Sequence, residues 1–130
     1  AAYHGNTTSL IDISPYKHAG PGGQGAPDWV HTSPIPDVYR GPHKASDPEA
    51  GLKYAREVGA VVEAIGARGR GLCGYIAETC PSVGGQILMP PGFLPEVHRL
   101  VRAAGGVCMI RLAMRPAKSF WKKPSDWRST

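Results

Sequence analysis

Residues 71–78 read G-L-C-G-Y-I-A-E, and the reading of this run decides the fold. Leu72 to Ala77 is short, apolar and bounded by Gly71 and Glu78, which suits a strand covered on both faces, as parallel sheets require. Upstream, Asp47-Pro48-Glu49 offers an N-cap, a proline for the first helical position and an acid for the first turn, so the pattern predicts a helix starting at Asp47. Leu52, Ala55, Val58, Val62 and Ile65 then recur at steps of three or four, forming one apolar stripe that ends near Gly66 to Gly71. Lys53, Arg56, Glu57 and Glu63 fall on the outer face. Downstream, a second helix is expected from about Pro95 to Ala104, with Val97, Leu100, Val101 and Ala104 inward and Gly105-Gly106 as its stop. Val107 to Met114 reads as the next strand. Helix, strand, helix, strand at this spacing predicts an α/β architecture of parallel strands with flanking helices and right-handed crossovers.

The first 46 residues are loop-rich, with G-P-G-G-Q-G at Gly20 to Gly25 and Pro27, Pro34, Pro36 and Pro42 leaving room for short strands at Ser9 to Ile13 and Trp29 to Thr32. Two strands do not make a stable sheet, so a piece of a larger sheet is expected. The N-terminal text, A-Y-H-G-N-T-T-S-L-I-D-I-S-P-Y-K, opens without Met and points to an internal piece of a longer protein. The 130 residues allow one modest core, small for an enzyme that must enclose a substrate. A hydrophobic share of 42% predicts a globular piece rather than a disordered one.

The formal charge of +5 is not evenly spread. Residues 1–114 carry ten Lys or Arg against nine Asp or Glu, whereas Arg115, Lys118, Lys122, Lys123 and Arg128 face only Asp126. The excess is a basic tail, and a solvated terminus is the ordinary reading of such a charge run, so nucleic acid is not favoured as a partner. No apolar run reaches membrane-spanning length, and no membrane partner is expected. Cys73, Cys80 and Cys108 are odd in number and lack C-x-x-C spacing, which favours buried reduced thiols and a cytoplasmic or mitochondrial-matrix setting.

Generic motifs are absent or incomplete. The Gly20 to Gly25 loop lacks the lysine of a phosphate-binding loop, Ser82 lacks a nucleophile elbow, and the five histidines show no metal spacing. His98, mid-helix beside Arg99, is expected to be solvated. What remains is Tyr3-His4-Gly5, an aromatic and an imidazole before a glycine, and Glu78, placed at the carboxyl end of a parallel strand where open α/β sheets hold their ligands. Taken alone, Tyr3 reads equally as a core or interface aromatic and Glu78 as a surface acid.

Three ordered blocks change those weights. A-Y-H-G-N-T-T-S-L-I-D-I-S-P-Y-K, W-V-H-T-S-P-I-P-D-V-Y-R-G-P and I-A-E-T-C-P-S-V-G-G-Q-I-L-M-P-P-G-F together closely resemble class III pyridoxal-phosphate-dependent aminotransferases, and within them the ethanolamine-phosphate and phosphohydroxylysine phospho-lyase branch. The resemblance runs over residues 1–108 and implies part of the large domain of a fold type I enzyme, homodimeric when complete and acting on a small amino or phospho-amino substrate. It implies that Tyr3 stacks on the cofactor ring with His4 beside it, that Gly5 allows close approach, and that Glu78, with Gly84 and Gly85 in the E-x-x-x-x-x-G-G pattern, lies at the site rim.

The departures are as specific. The family follows A-G-G-V with an apolar pair and A-D-E, its Asp partnering the pyridine nitrogen; here counting from Ala104-Gly105-Gly106-Val107 places Arg111 near that Asp. Residues 109–130 form a divergent basic tail, and none of Lys118, Lys122 or Lys123 has the context of the Schiff-base lysine. No catalytic residue and no metal ligand is assigned, and the chain by itself is expected to be inactive. A non-catalytic binding protein using the basic, Trp-containing tail is the alternative.

Overall fold

The computed structural model describes residues 2–18 and 20–111. Its elements are α1 (Thr8–Asp12), α2 (Pro15–His18), α3 (Ala50–Ala67), β1 (Gly74–Glu78), α4 (Phe93–Ala103) and β2 (Val107–Arg111). The two strands pair in parallel, and the register runs from Gly74 opposite Val107 to Glu78 opposite Arg111, with α4 as the crossover between them. This is the expected α/β arrangement.

Helix α3 begins three residues after the expected start. The Asp47 side chain accepts the Glu49 N–H at 2.9 Å and pairs with Lys53 at 2.5 Å. Its carboxylate closes the turn before the helix instead of capping the helix itself, and Ala50 is the first helical residue. The C-terminal end agrees with the glycine signals: Ala67 is last, and Gly69 takes φ +70° beyond it.

The core lies between α3 and α4. Tyr54, Ala55 and Val58 of α3 meet Phe93, Val97 and Val101 of α4, and Leu72, Tyr75 and Cys108 of the strands pack against them. Phe93, Val97 and Val101 are four residues apart, so they form one helical ridge. Gly51 and Gly59 bring the helices together: a Cβ on Gly51 would lie 2.0 Å from the Pro91 carbonyl oxygen, and one on Gly59 3.3 Å from Leu100. Two expected inner positions are not inner: Leu52 is exposed, and so is Ala104 just past the end of α4. The buried α3 face is carried instead by Tyr54 and Gly59.

Alternation along the paired strands puts Tyr75, Ala77, Cys108 and Ile110 on one face and Gly74, Ile76, Glu78, Val107, Met109 and Arg111 on the other. The first face meets the helical core through Tyr75 and Cys108. The second is open at β2, where Val107 is 59% exposed and Met109 53%. The run expected to be covered on both faces, Leu72 to Ala77, is buried or half-buried except at Cys73, whereas β2 leaves Val107 and Met109 exposed.

Neither early strand forms. Ser9 to Ile13 falls in α1, where the Leu10 and Ile11 N–H groups both bond the Thr7 carbonyl, and Trp29 to Thr32 lies outside the sheet. An isolated β-prone run has no ladder to join, so local hydrogen bonding decides its conformation.

Candidate functional site

The parallel strands end together, and the last rung of the ladder sets Glu78 opposite Arg111. The N-terminal segment docks on this rung. Tyr3 donates its N–H to Glu78 Oε1 at 3.1 Å, while Arg111 Nη1 donates to the Tyr3 carbonyl at 2.7 Å. Ser82 gives its N–H to the other Glu78 oxygen at 3.4 Å. Glu78 is 3% exposed, and both carboxylate oxygens face backbone N–H donors, which is how a buried carboxylate is satisfied without an ion pair. Tyr3, His4, Glu78 and Arg111 are thus brought together from distant parts of the sequence.

His4 is buried at 5% exposure, and its N–H bonds Ser14 Oγ at 2.9 Å. Ser14, itself fully buried, passes its hydroxyl to the Leu10 carbonyl and so ties the start of the chain to α1. Burial holds the His4 imidazole below the usual histidine value, against the pull of Glu78 and with the push of Arg111. Its Nδ1 is enclosed with no hydrogen-bond partner among the described residues. Gly5 has φ +137°, and the space a Cβ would need there is filled by Leu10, 2.6 Å away. The close approach at this glycine is thus made by the protein's own side chain.

Next to this rung is a largely apolar cavity of about 680 Å³, lined among others by His4, Trp29, Val58, Val62, Tyr75 and Glu78. The phenol of Tyr75 is pushed up to about 12 by burial, opposed by the neighbouring Ser33 and reinforced by Cys108. No cluster of three metal-ligating side chains occurs among the described residues. His98 departs from expectation: it is half-buried on α4 beside Val97, and its Nε2 is enclosed with no partner among the described residues. Of the three cysteines, Cys73 is exposed and Cys108 half-buried, so only Cys80 matches the expected burial.

The arrangement can be tested against pyridoxal phosphate. The Tyr3 ring is met edge-on by Tyr16, with centroids 6.1 Å apart at 82°, and Lys17 Nζ stands 5.6 Å from its centre. Glu78 is engaged by backbone N–H groups, and the charged group at the end of β2 is a guanidinium. A pyridine nitrogen kept protonated needs a free carboxylate, so these residues alone are an incomplete set for that cofactor.

Some participants were not visible in the sequence reading. Ser14, Asp37 and Tyr54 are buried and hydrogen-bonded, yet none lies in a recognisable catalytic spacing. The one local signal was the turn chemistry of Pro36-Asp37, since an aspartate commonly bonds backbone N–H groups two and three residues on.

No family model matches the chain. It is similar to an alanine–glyoxylate aminotransferase 2-like protein of Drosophila melanogaster, 43% identical over 111 residues covering 83% of this chain and 22% of that protein. It is also similar to ethanolamine-phosphate phospho-lyase homolog 1 of Caenorhabditis elegans, 36% identical over 118 residues covering 84% of this chain and 25% of the relative. Among solved structures, a phospholyase from Arthrobacter in complex with phosphoethanolamine superimposes with a TM-score of 0.67 at 30% identity, over 82% of this chain and 24% of that one. Over 82–84% of its length the chain is thus similar to aminotransferases and phospho-lyases, and it shares part of their fold. A transaminase with L-ala, at 19% identity and a TM-score of 0.68, shares the fold. This segment spans about a quarter of the length of the curated relatives it matches.

Proposed function

We propose that this chain is part of the large domain of a pyridoxal-phosphate-dependent aminotransferase or phospho-lyase, and that it contributes one wall of the cofactor site. The observation that supports this most is the junction at the last rung of the sheet, where Tyr3 and Glu78, 75 residues apart, share a hydrogen bond. In the complete enzyme Tyr3 holds the flat face of the cofactor, His4 and Gly5 shape the approach, and Glu78 fixes the rim. When bound, the cofactor supplies the electron sink for carbanion chemistry at an amino carbon. The substrate is a small amine or phospho-amine, and the complete enzyme is a homodimer. The compartment is the cytoplasm or the mitochondrial matrix; no helix among the described residues is long and apolar enough to cross a membrane.

By itself the chain fails to bind pyridoxal phosphate and turns nothing over. The test is a titration of the purified 130-residue chain with pyridoxal phosphate, followed by absorbance, with assays for keto acid and for phosphate released from phosphoethanolamine. Release of either product by the chain alone refutes the account. For the cofactor wall, Tyr3→Ala in a longer protein that contains this segment should weaken retention of the cofactor on dialysis, and unchanged retention removes Tyr3 from that role.

A further inference from the structure

The segment that follows Glu78 is held from outside by a chain of hydrogen bonds that begins in the helical core. Tyr54, 1% exposed on α3, donates its hydroxyl to the Asp37 carbonyl at 2.8 Å. The Gly41 N–H bonds the same carbonyl at 2.8 Å, and only a glycine fits there, since a Cβ would lie 2.1 Å from the Tyr54 oxygen. The buried Asp37 carboxylate accepts the Tyr39 N–H at 2.9 Å, the Arg40 N–H at 3.0 Å and Arg40 Nε at 2.6 Å. These bonds, the Arg40 N–H first, hold that carboxyl below the usual range. Arg40 then reaches across 44 residues of sequence and donates Nη2 to the Gly84 carbonyl at 2.5 Å.

Gly84 lies in a turn that cannot hold its own shape cheaply. Gly85 has φ +111° and Gln86, a non-glycine, φ +56°. The Gly85 and Gln86 N–H groups bond Ser82 O at 3.0 and 3.4 Å, and the Ile87 N–H bonds Pro81 O at 3.3 Å. Ser82 in turn gives its N–H to Glu78, which takes the N–H of Tyr3. The line of bonds therefore runs from α3 through Asp37 and Arg40 to Gly84, and from the adjoining Gly85 to Ser82, Glu78 and Tyr3.

We propose that Arg40 is a positioning residue for the candidate site: its guanidinium bridges the Asp37 carboxylate and the Gly84 carbonyl and thereby sets the 79–87 segment that orients Glu78 toward Tyr3. Arginine suits the bridge because Nε and Nη2 are separate donors held in a fixed plane, whereas the single ammonium of lysine is a point. The Arg40 side chain is 61% exposed, so shortening it opens no cavity in the α3–α4 core. The inference rests on reading Glu78 as a site residue, but its test needs no cofactor, so failure here leaves the cofactor account standing on its own experiment.

The experiment is amide exchange by NMR on the 130-residue chain as Arg40→Ala and Arg40→Lys. Arg40→Ala should speed exchange at Ser82, Gly85, Gln86 and Ile87 by about fivefold, an exposed charge-assisted bond being lost. It should also shift and deprotect the Tyr3 amide, while the α3 amides from Tyr54 to Ile65 stay as in the parent chain. Arg40→Lys should fail to restore the Tyr3 amide position. If Arg40→Ala lowers total helicity, Arg40→Gln, which keeps two of the three methylenes and a single neutral donor group, carries the same comparison. Unchanged exchange at 82–87, a rise shared equally by α3, or full restoration by lysine each overturns the bridge.

Discussion

Gly51 and Gly66 sit on the same helix and should respond to alanine with opposite signs. At Gly51 the added Cβ would lie 2.0 Å from the Pro91 carbonyl oxygen and 3.0 Å from both the Pro91 carbon and the Phe93 nitrogen. These are backbone atoms of the turn that starts α4, so no side chain can swing away, and α3 must retreat by at least an ångström from the loop it rests on. Overpacking of this kind costs about 1–3 kcal/mol. The helix-propensity gain of up to about 1 kcal/mol does not offset it, since Gly51 is in the first turn. A net loss of about 1–2 kcal/mol corresponds to a roughly 5–30-fold fall in protection of the α3 amides against exchange. At Gly66 nothing lies within 4 Å of the added Cβ. There Gly66→Ala gains about 0.5–1 kcal/mol from backbone entropy alone. Native-state amide exchange reads both effects at Tyr54, Ala55 and Val58 without requiring a cooperative melt. If Gly51→Ala protects these amides as well as Gly66→Ala does, the close α3–α4 approach is wrong, and so is the core assigned between them.

Three further outcomes follow from the site and its surroundings. Burial depresses the His4 pKa in the fold relative to 6.5 in the unfolded chain, so its contribution is present above pH 6.5 and lost as pH falls through the lower folded value. His4→Gln should flatten the acid limb of a pH–stability profile below 6.5, and an unchanged limb refutes the buried neutral imidazole. Tyr75, raised from 10.0 to about 12, behaves in the opposite way: its stabilisation is present below pH 10 and lost as pH climbs toward 12. Tyr75→Phe should remove that alkaline loss in a circular-dichroism titration, and persistence of the loss assigns it to another group. Finally, limited alkylation mapped by mass spectrometry should label Cys73 well before Cys80, which is 6% exposed. Equal labelling of the two in the folded chain contradicts the burial of Cys80.

The legible part of this fold was the part in which local pattern and tertiary packing agree. Val97 and Val101 were readable as an inward stripe because burial on α4 follows the helix period, and the run after Gly71 as a parallel strand because it is short, apolar and without an exposed residue from Gly74 to Glu78. Tyr54 escaped the reading because its burial depends on the Asp37 carbonyl, a partner in a loop that no periodicity reveals. Phe93 escaped because α4 begins after Gly92, held at φ +81°, and the proline at position 95 falls inside the first turn instead of opening it. Ser9 to Ile13 misled for the opposite reason: its composition favours a strand, but the bonds available to it are those of its own turn.

The candidate site shows the same division between recognisable residues and unpredictable partners. Tyr3, His4, Gly5 and Glu78 could be picked out by resemblance, but what each one touches could not. Glu78 and Arg111 are opposite charges in register on the last rung, and side by side they would be expected to pair. Instead each takes one end of the same peptide: Glu78 accepts the Tyr3 N–H, and Arg111 donates to the Tyr3 carbonyl. Splitting the charges in this way holds the Tyr3 backbone from both strands at once, which a direct ion pair would not do. It also makes Arg111 integral to the position of Tyr3. Replacing it by the aspartate of the family pattern would put two carboxylates on one rung and leave the Tyr3 carbonyl without its donor. The divergence at the end of β2 therefore supplies one of the bonds that dock the N-terminal segment, beside those from Glu78 and Ser14.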